Sequence, residues 1–310
     1  MRFGITAAQA DALIPPGLPA EQLFAYLAGL DYSTLIPRAA AHGFNPIEIS
    51  ADLAIFFPRV FAPPMIEAML RLKQELGLGY TVHLPLWSVE PSTPLAPVRQ
   101  GSLQALIEHI RLTLPLDPEV YVLHATGALA AEFSQMRLPE AARGLVLRQY
   151  QTAARQSLKT LLAETGLAPR RLAIETIEFP FELTLELAEE LDCAVCFDTG
   201  HVLVGFSGPV DFFEALERCL PRLGEVHLHD GPWQGPQRII GYGKDHQAIG
   251  RGDLDTARFL DRLEQAGYRG PLVFELGLEA ALESMQVIRG LRPDLAAELT
   301  RRGRPGGTDR

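Results

Sequence analysis

Short apolar runs alternate with longer amphipathic stretches along nearly the whole chain. Eight of the runs read as strands: Arg2–Thr6, Pro46–Ser50, Tyr80–Pro85, Val120–Thr126, Arg171–Thr176, Cys193–Asp198, Glu225–Asp230 and Pro271–Leu276. Most are unbroken Val/Ile/Leu-type segments, not strict apolar–polar alternations. That is the pattern of strands covered on both faces in a parallel sheet. Helical patterns fill the intervals. Pro64–Leu76 opens on proline and stops at Gly77, and Pro139–Thr165 stops at Gly166, the expected start and stop chemistry. Arg99–Thr113, Leu183–Leu191, Val210–Leu220, Asp255–Ala266 and Leu278–Arg289 follow, while Glu21–Leu27 and Tyr32–Ala41 share the interval after the first strand. Strand then helix, eight times over, predicts a (β/α)8 TIM barrel. A doubly wound sheet is the alternative, but the chain has no glycine-rich dinucleotide fingerprint. Residues 1–300 read as one domain, with 301–310 a polar, glycine-rich tail expected to be disordered.

Composition narrows the classes. The chain has 310 residues, 47% hydrophobic and 21% charged, an ordinary globular balance with length for a large core. A formal net charge of −10 argues against a general affinity for nucleic-acid phosphates, so a small-molecule substrate is expected. No apolar run is long enough to span a bilayer, and the N-terminus carries no basic region before an apolar one, so a cytoplasmic protein is expected. Three cysteines imply no disulfide framework. Cys193 and Cys196 spell C-x-x-C, but three positions along a strand reverse the face. Oligomeric state has no signature.

Candidate chemistry sits where the strands end. Asp198 closes the sixth run, a Thr-Gly turn follows, and His201 comes three residues after the acid. An isolated D-x-x-H is more often a turn or a helix cap. Here it is repeated around the chain: His83 and His124 end the third and fourth strands, Glu175 the fifth and Glu275 the eighth. His227, His229 and Asp230 fall in the seventh, and His246 lies in the loop after it. Six of the 8 histidines fall in this set. A barrel turns all its strand ends to one rim, where so many polar groups need cations or water to be buried. Carboxylate and imidazole donors together suit zinc or manganese. His227 and His229 share one face of their strand, and His227 is expected to be the ligand. His229 and Asp230 are then expected to orient ligands or touch substrate. Two long loops follow strands, Pro85–Pro97 with Trp87 and Gly231–Gly243 with Trp233. Either tryptophan would stack on a ring or only pack its loop. Lys244 and Arg251 are candidates to meet an anion. Asp253 is expected to cap the next helix. Glu48 would line the base of the site or simply occupy the barrel interior.

This constellation resembles the xylose-isomerase-like TIM-barrel superfamily, which includes sugar phosphate isomerases and epimerases and the apurinic-site endonuclease class. The resemblance covers essentially residues 1–290. Its isomerase branch shares a metal site of Glu, Asp, His and Glu on successive strand ends, matched in order by Glu175, Asp198, His227 and Glu275, with His201 also in place. The endonuclease branch binds a cluster of three zinc ions with added histidines, matched by His83 and His124. It has another in a D-x-H before an I-G-x-G loop. Here Lys244–Gly252 keeps His246 and the I-G-x-G, but Lys244 stands where the family has Asp, with Asp245 one residue away. The arginine often found past the seventh-strand histidine of the isomerases is replaced near that place by Trp233. YTVHLPL and LPLDPEVYVLH also resemble bacterial cobamide-remodelling phosphodiesterases, although the first sixty residues differ from theirs.

The resemblance implies one of two reactions and a divalent metal, zinc or manganese, in one to three copies. The first is hydrolysis of a small phosphodiester with two or three ions held by His83, His124, Glu175, Asp198, His201, His227, His246 and Glu275. The second is isomerisation or epimerisation of a sugar or sugar phosphate with one ion, Glu175 and Glu275 moving the proton as base and acid. A barrel that only binds a ligand is the remaining option, and the least economical one for so full a set of donors.

Overall fold

In the computed structural model, eight parallel strands close into a barrel in sequence order, with β1 paired to both β2 and β8. Residues 1–7, 17–29, 31–233 and 243–294 are described. The strands are β1 (Arg2–Thr6), β2 (Ile47–Ser50), β3 (Tyr80–His83), β4 (Tyr121–Leu123), β5 (Leu172–Glu175), β6 (Ala194–Asp198), β7 (Leu223–His227) and β8 (Pro271–Phe274). The expected tail 301–310 lies outside the described residues.

Most strands are buried end to end, because their outer faces meet helices and their inner faces meet one another. The outer core holds large side chains such as Tyr80, Phe197, Phe259 and Phe274, all fully buried. The inner layer is narrow and different in kind. Val120, Val122, Ala173, Ala194 and Cys196 form a separate small cluster inside the barrel. Thr81 and Glu225 share that interior, the Thr81 hydroxyl donating to Glu225 Oε1 (3.0 Å).

Helix ends follow local chemistry. The helix Pro63–Leu76 begins on proline and stops at Gly77, and the long helix Glu140–Thr165 stops at Gly166; both glycines take the left-handed backbone that ends a helix without a Cβ clash. Asp31, Asp211 and Asp255 accept hydrogen bonds from the first-turn backbone of the helices that follow them. Asp255, not Asp253, is thus the cap before Thr256–Gln265; Asp253 instead accepts the backbone N–H of Trp233 (2.8 Å). Three helices were not expected from the apolar pattern: Leu53–Phe56, Ala128–Gln135 and Thr199–Val204. All follow strands directly and lie at the rim. None of the described helices is long and apolar enough to cross a membrane. The three cysteines are free and buried.

Candidate metal centre

The D-x-x-H spacing has a structural cause. Asp198 is the N-cap of Thr199–Val204, and its Oδ1 accepts the backbone N–H of His201 (2.6 Å), three residues on. That single turn brings the His201 ring back over the strand end, with Nδ1 2.9 Å from Glu175 Oε1 and 3.3 Å from Asp198 Oδ2. The second Asp198 oxygen stays free of the cap and faces the imidazoles of His227 and His229. Gly200 sits inside the turn, and a Cβ there would strike the His229 ring.

Glu175, the last residue of β5, is the hub. Its Oε2 lies 3.3 Å from His83 Nε2, 3.1 Å from His124 Nε2 and 3.5 Å from His227 Nδ1. His227 Nδ1 is also 3.4 Å from Glu275 Oε2. Two tautomers are set from behind. His83 Nδ1 meets the carbonyl of Leu84 (2.9 Å), which leaves Nε2 for the site. His227 Nε2 meets Glu48 Oε2 (3.3 Å), which leaves Nδ1 for the site. Glu48 therefore acts from beneath, on a ligand, and is fully buried.

The seventh strand's other residues divide differently. Both nitrogens of His229 are engaged: Nε2 with Asp198 Oδ2 (2.9 Å), and Nδ1 accepting the backbone N–H of His246 (2.9 Å). Its ring stacks flat on that of His246, centroids 4.3 Å apart. His229 thus meets both Asp198 and His246, is fully buried, and is not among the described residues lining the cavity. Asp230 is also fully buried, and its carboxylate accepts the backbone N–H groups of Gly231 (2.8 Å), Gly250 (2.9 Å) and Leu254 (3.0 Å). It ties together the two ends of the loop after β7 and is not among the described residues lining the cavity. Gly252 is required there, because a Cβ would strike Asp230 Oδ1.

Asp245 enters the site although it is displaced by one residue from the family position. Its Oδ2 lies 2.8 Å from His246 Nδ1 and 3.4 Å from His201 Nε2. His246 has a left-handed φ of 55°, which lets consecutive residues both turn inward. Glu178 escaped the sequence reading. It has a φ of 66°, lines the cavity, and places Oε2 3.8 Å from His124 Nδ1. Nothing in its sequence context marks it beyond its place three residues after Glu175.

The remaining candidates separate. Trp87 lines the cavity, together with His83, His124, His201, His246, Glu275, Asp245 and Glu178. Lys244 is exposed and its carbonyl accepts from Gln247 (2.7 Å). Arg251 points away and pairs with Glu283 (2.7 Å). Trp233 is not among the described residues lining the cavity. Residues 234–242 of the loop lie outside the described residues.

Charge distribution follows from these pairings. Burial alone would lower the pKa of His83, but Glu175 reverses this and raises it to about 9. Burial likewise opposes the rise of His246, which Asp245 and Glu275 carry to about 10. Burial works to raise Glu275, yet His227 and His246 bring it down to about 2. Burial pushes the Glu178 carboxyl up to about 7 against the pull of His124. Burial lowers His229, and the imidazole of His246 adds to the fall against Asp198.

The donor set fits divalent ions. Donor atoms lie within 4.8 Å of one another in His83–His124–Glu175, in Glu175–Asp198–His227–Glu275 and in His201–His229–His246–Glu275. With His229 engaged, the last reduces to His201, His246 and Glu275 beside Asp245. Glu175 Oε1, His201 Nδ1 and His227 Nδ1 are buried without a hydrogen-bond partner. Lone pairs buried this way, aimed at shared space, are what a bound divalent ion would satisfy. The cavity above has a volume of about 340 Å³, and none of the described residues lining it is Arg or Lys.

Comparisons with known proteins bear on the fold and the family. An uncharacterized protein of Methanocaldococcus jannaschii, MJ1311, is 22% identical over 268 residues, 81% of this chain and 82% of its own. A D-tagatose 3-epimerase-like protein shares the fold with a TM-score of 0.68 and 19% identity, over 96% of this chain and 100% of the other. Endonuclease IV from Thermus thermophilus does so with a TM-score of 0.62 and 20% identity, over 95% of this chain and 100% of the other. The xylose isomerase-like TIM barrel family matches residues 36–291, and the chain belongs to that family.

Proposed function

We propose that the protein is a divalent-metal-dependent hydrolase of small phosphodiesters that works with about two to three ions. One observation carries this reading. Three donor groups overlap at Glu175 and Glu275, and together they offer more ligands than one ion takes. A single ion at Glu175, Asp198, His227 and Glu275 would leave His83, His124, His201 and His246 to hold substrate hydroxyls instead of metal. Bound zinc or manganese would supply Lewis-acid polarisation and charge neutralisation at phosphorus.

The chain's own residues do the rest. His83, His124 and Glu175 hold one side of the mouth, and His201, Asp245, His246 and Glu275 the other, so a substrate phosphate would be clasped between them. With no described Arg or Lys in the cavity lining, the metal ligands set the charge that a phosphate meets. Glu178, which burial pushes up to about 7 and whose Oε2 lies 3.8 Å from His124 Nδ1, is the candidate acid for the oxygen of the leaving group. The net charge of −10 favours a small substrate over a nucleic-acid duplex.

Epimerisation of a sugar is the second reading. It draws on Glu175 and Glu275, two carboxylates placed 3.5 and 3.4 Å from the same His227 nitrogen and able to serve as paired base and acid. Elemental analysis of the purified protein separates the two. The hydrolase reading expects about two to three ions per chain and turnover of bis-p-nitrophenyl phosphate. One ion per chain, with ketose epimerisation and no diester cleavage, replaces it with the second.

A further inference from the structure

Above the polar floor, the cavity wall changes character. Leu86, Trp87, Ala128, Ala131, Ile177 and Phe206 line it, so the space is charged at its base and apolar toward its rim. Trp87 is 54% exposed and Phe56, beside it, 58% exposed, which is unusual for two large rings in contact. They meet edge to face, with centroids 5.9 Å apart and planes at 78°. Phe56 thereby braces Trp87 from one side.

The ledge is held in place. Asp52, two residues past β2 and 4% exposed, accepts the backbone N–H of Leu86 (3.0 Å) and lies 3.4 Å from that of Trp87. A buried carboxylate thus fixes the loop four residues after His83, a proposed metal ligand. The indole is thus carried on an anchored backbone at the wall of the cavity.

We propose that Trp87, braced by Phe56, is a stacking subsite for an uncharged heteroaromatic ring carried by the substrate's phosphoryl group. This deepens the phosphoester reading and rests on it for the placement of the phosphate. The layout matches such a molecule: cationic metals for the anionic end below, and an indole with neighbouring methyl groups for a flat ring above. Stacking on an exposed indole is tolerant of which ring it meets, since every such ring offers a π face.

The chain has 2 tryptophans, so Trp233→Phe leaves Trp87 as the sole indole reporter. The zinc-loaded W233F protein is titrated with adenosine 5′-monophosphate, ribose 5-phosphate and adenosine, with emission and calorimetry as readouts. The expected result is quenching by both adenine compounds. Adenosine 5′-monophosphate should bind about tenfold tighter than ribose 5-phosphate. Trp87→Ala should erase that gap while ribose 5-phosphate affinity holds within about twofold, and Trp87→Phe should restore part of it. Equal affinities for the two phosphates, a gap that persists in W87A, or no quenching by either adenine compound overturns the subsite. Equal affinities of the two phosphates leave the phosphoester reading standing. Quenching by adenosine with no gain from the phosphate upholds the subsite and removes that reading.

Discussion

On one side of the mouth, His83 and His124 stand at the ends of β3 and β4 and face a single carboxylate, Glu175. On the other, His201, His229 and His246 are interleaved with Asp198, Asp245 and Glu275. The first side is set by strands, with a backbone carbonyl behind His83. The second is set by a six-residue helix and a loop, with a left-handed residue at His246. The difference shows that burial lowers the proton affinity of an imidazole unless enough carboxylate faces it. His83 and His246 gain proton affinity because a carboxylate faces them. His229, fully buried where His246 is partly exposed, loses it because burial, joined by the neighbouring His246 imidazole, outweighs the pull of Asp198.

Glu175 is where the two sides join, so its loss should do most. Glu175→Gln is expected to lower hydrolysis by about a thousandfold. It should also deplete metal from both sides, whereas His83→Ala should deplete the β3–β4 side alone. Elemental analysis beside initial rates checks this. A Glu175→Gln protein that keeps its full metal complement would break the idea of a shared hub.

Glu48→Gln probes the ligand that stands between the sides. Removing the carboxylate that orients His227 should weaken metal binding by about ten- to a hundredfold. The melting temperature of the metal-free protein should change far less. Chelator competition gives the first number and calorimetry the second. Unaltered metal affinity in E48Q would assign Glu48 to barrel packing.

The smallest expected effect is that of pH on the metal-free protein. The raised pKa values of His83 and His246 mean that their ion pairs stabilise the fold fully below about 6.5, and that this contribution fades as pH rises through about 9 to 10. Glu275, held down to about 2, contributes above its ordinary range near 4.5 and loses that contribution as the solution is acidified toward 2. Metal competes with protons for the same imidazoles, so added zinc should raise the melting temperature more at pH 9 than at pH 7. Equal shifts at both values would contradict the pairing of charges described here.

Much of this was legible before any coordinates. Unbroken apolar runs spaced by amphipathic stretches specify a parallel barrel, and a barrel gathers whatever polar residues end its strands. His83, Glu175, Asp198 and Glu275 were therefore readable from position alone. The loop residues were not. Asp245 looked misplaced by one residue, because spacing assumes a regular backbone and His246 is left-handed. Arg251 resembled an anion contact, since its partner Glu283 is far along the chain on another helix. Glu178 had no signal, because its backbone conformation rather than its neighbours aims it inward. Period two puts His229 on the face of His227 but does not show that both its nitrogens are occupied.

Asp230 has a consequence beyond holding a loop. One carboxylate grips the chain on leaving β7 at Gly231 and again on its return at Gly250 and Leu254. The backbone of Asp230 also pairs with Gln247 (2.7 and 3.1 Å), so a change of length between positions 233 and 243 is expected to leave His246 in place. An exchange of that stretch is therefore expected to leave the cluster of candidate ligands where it is.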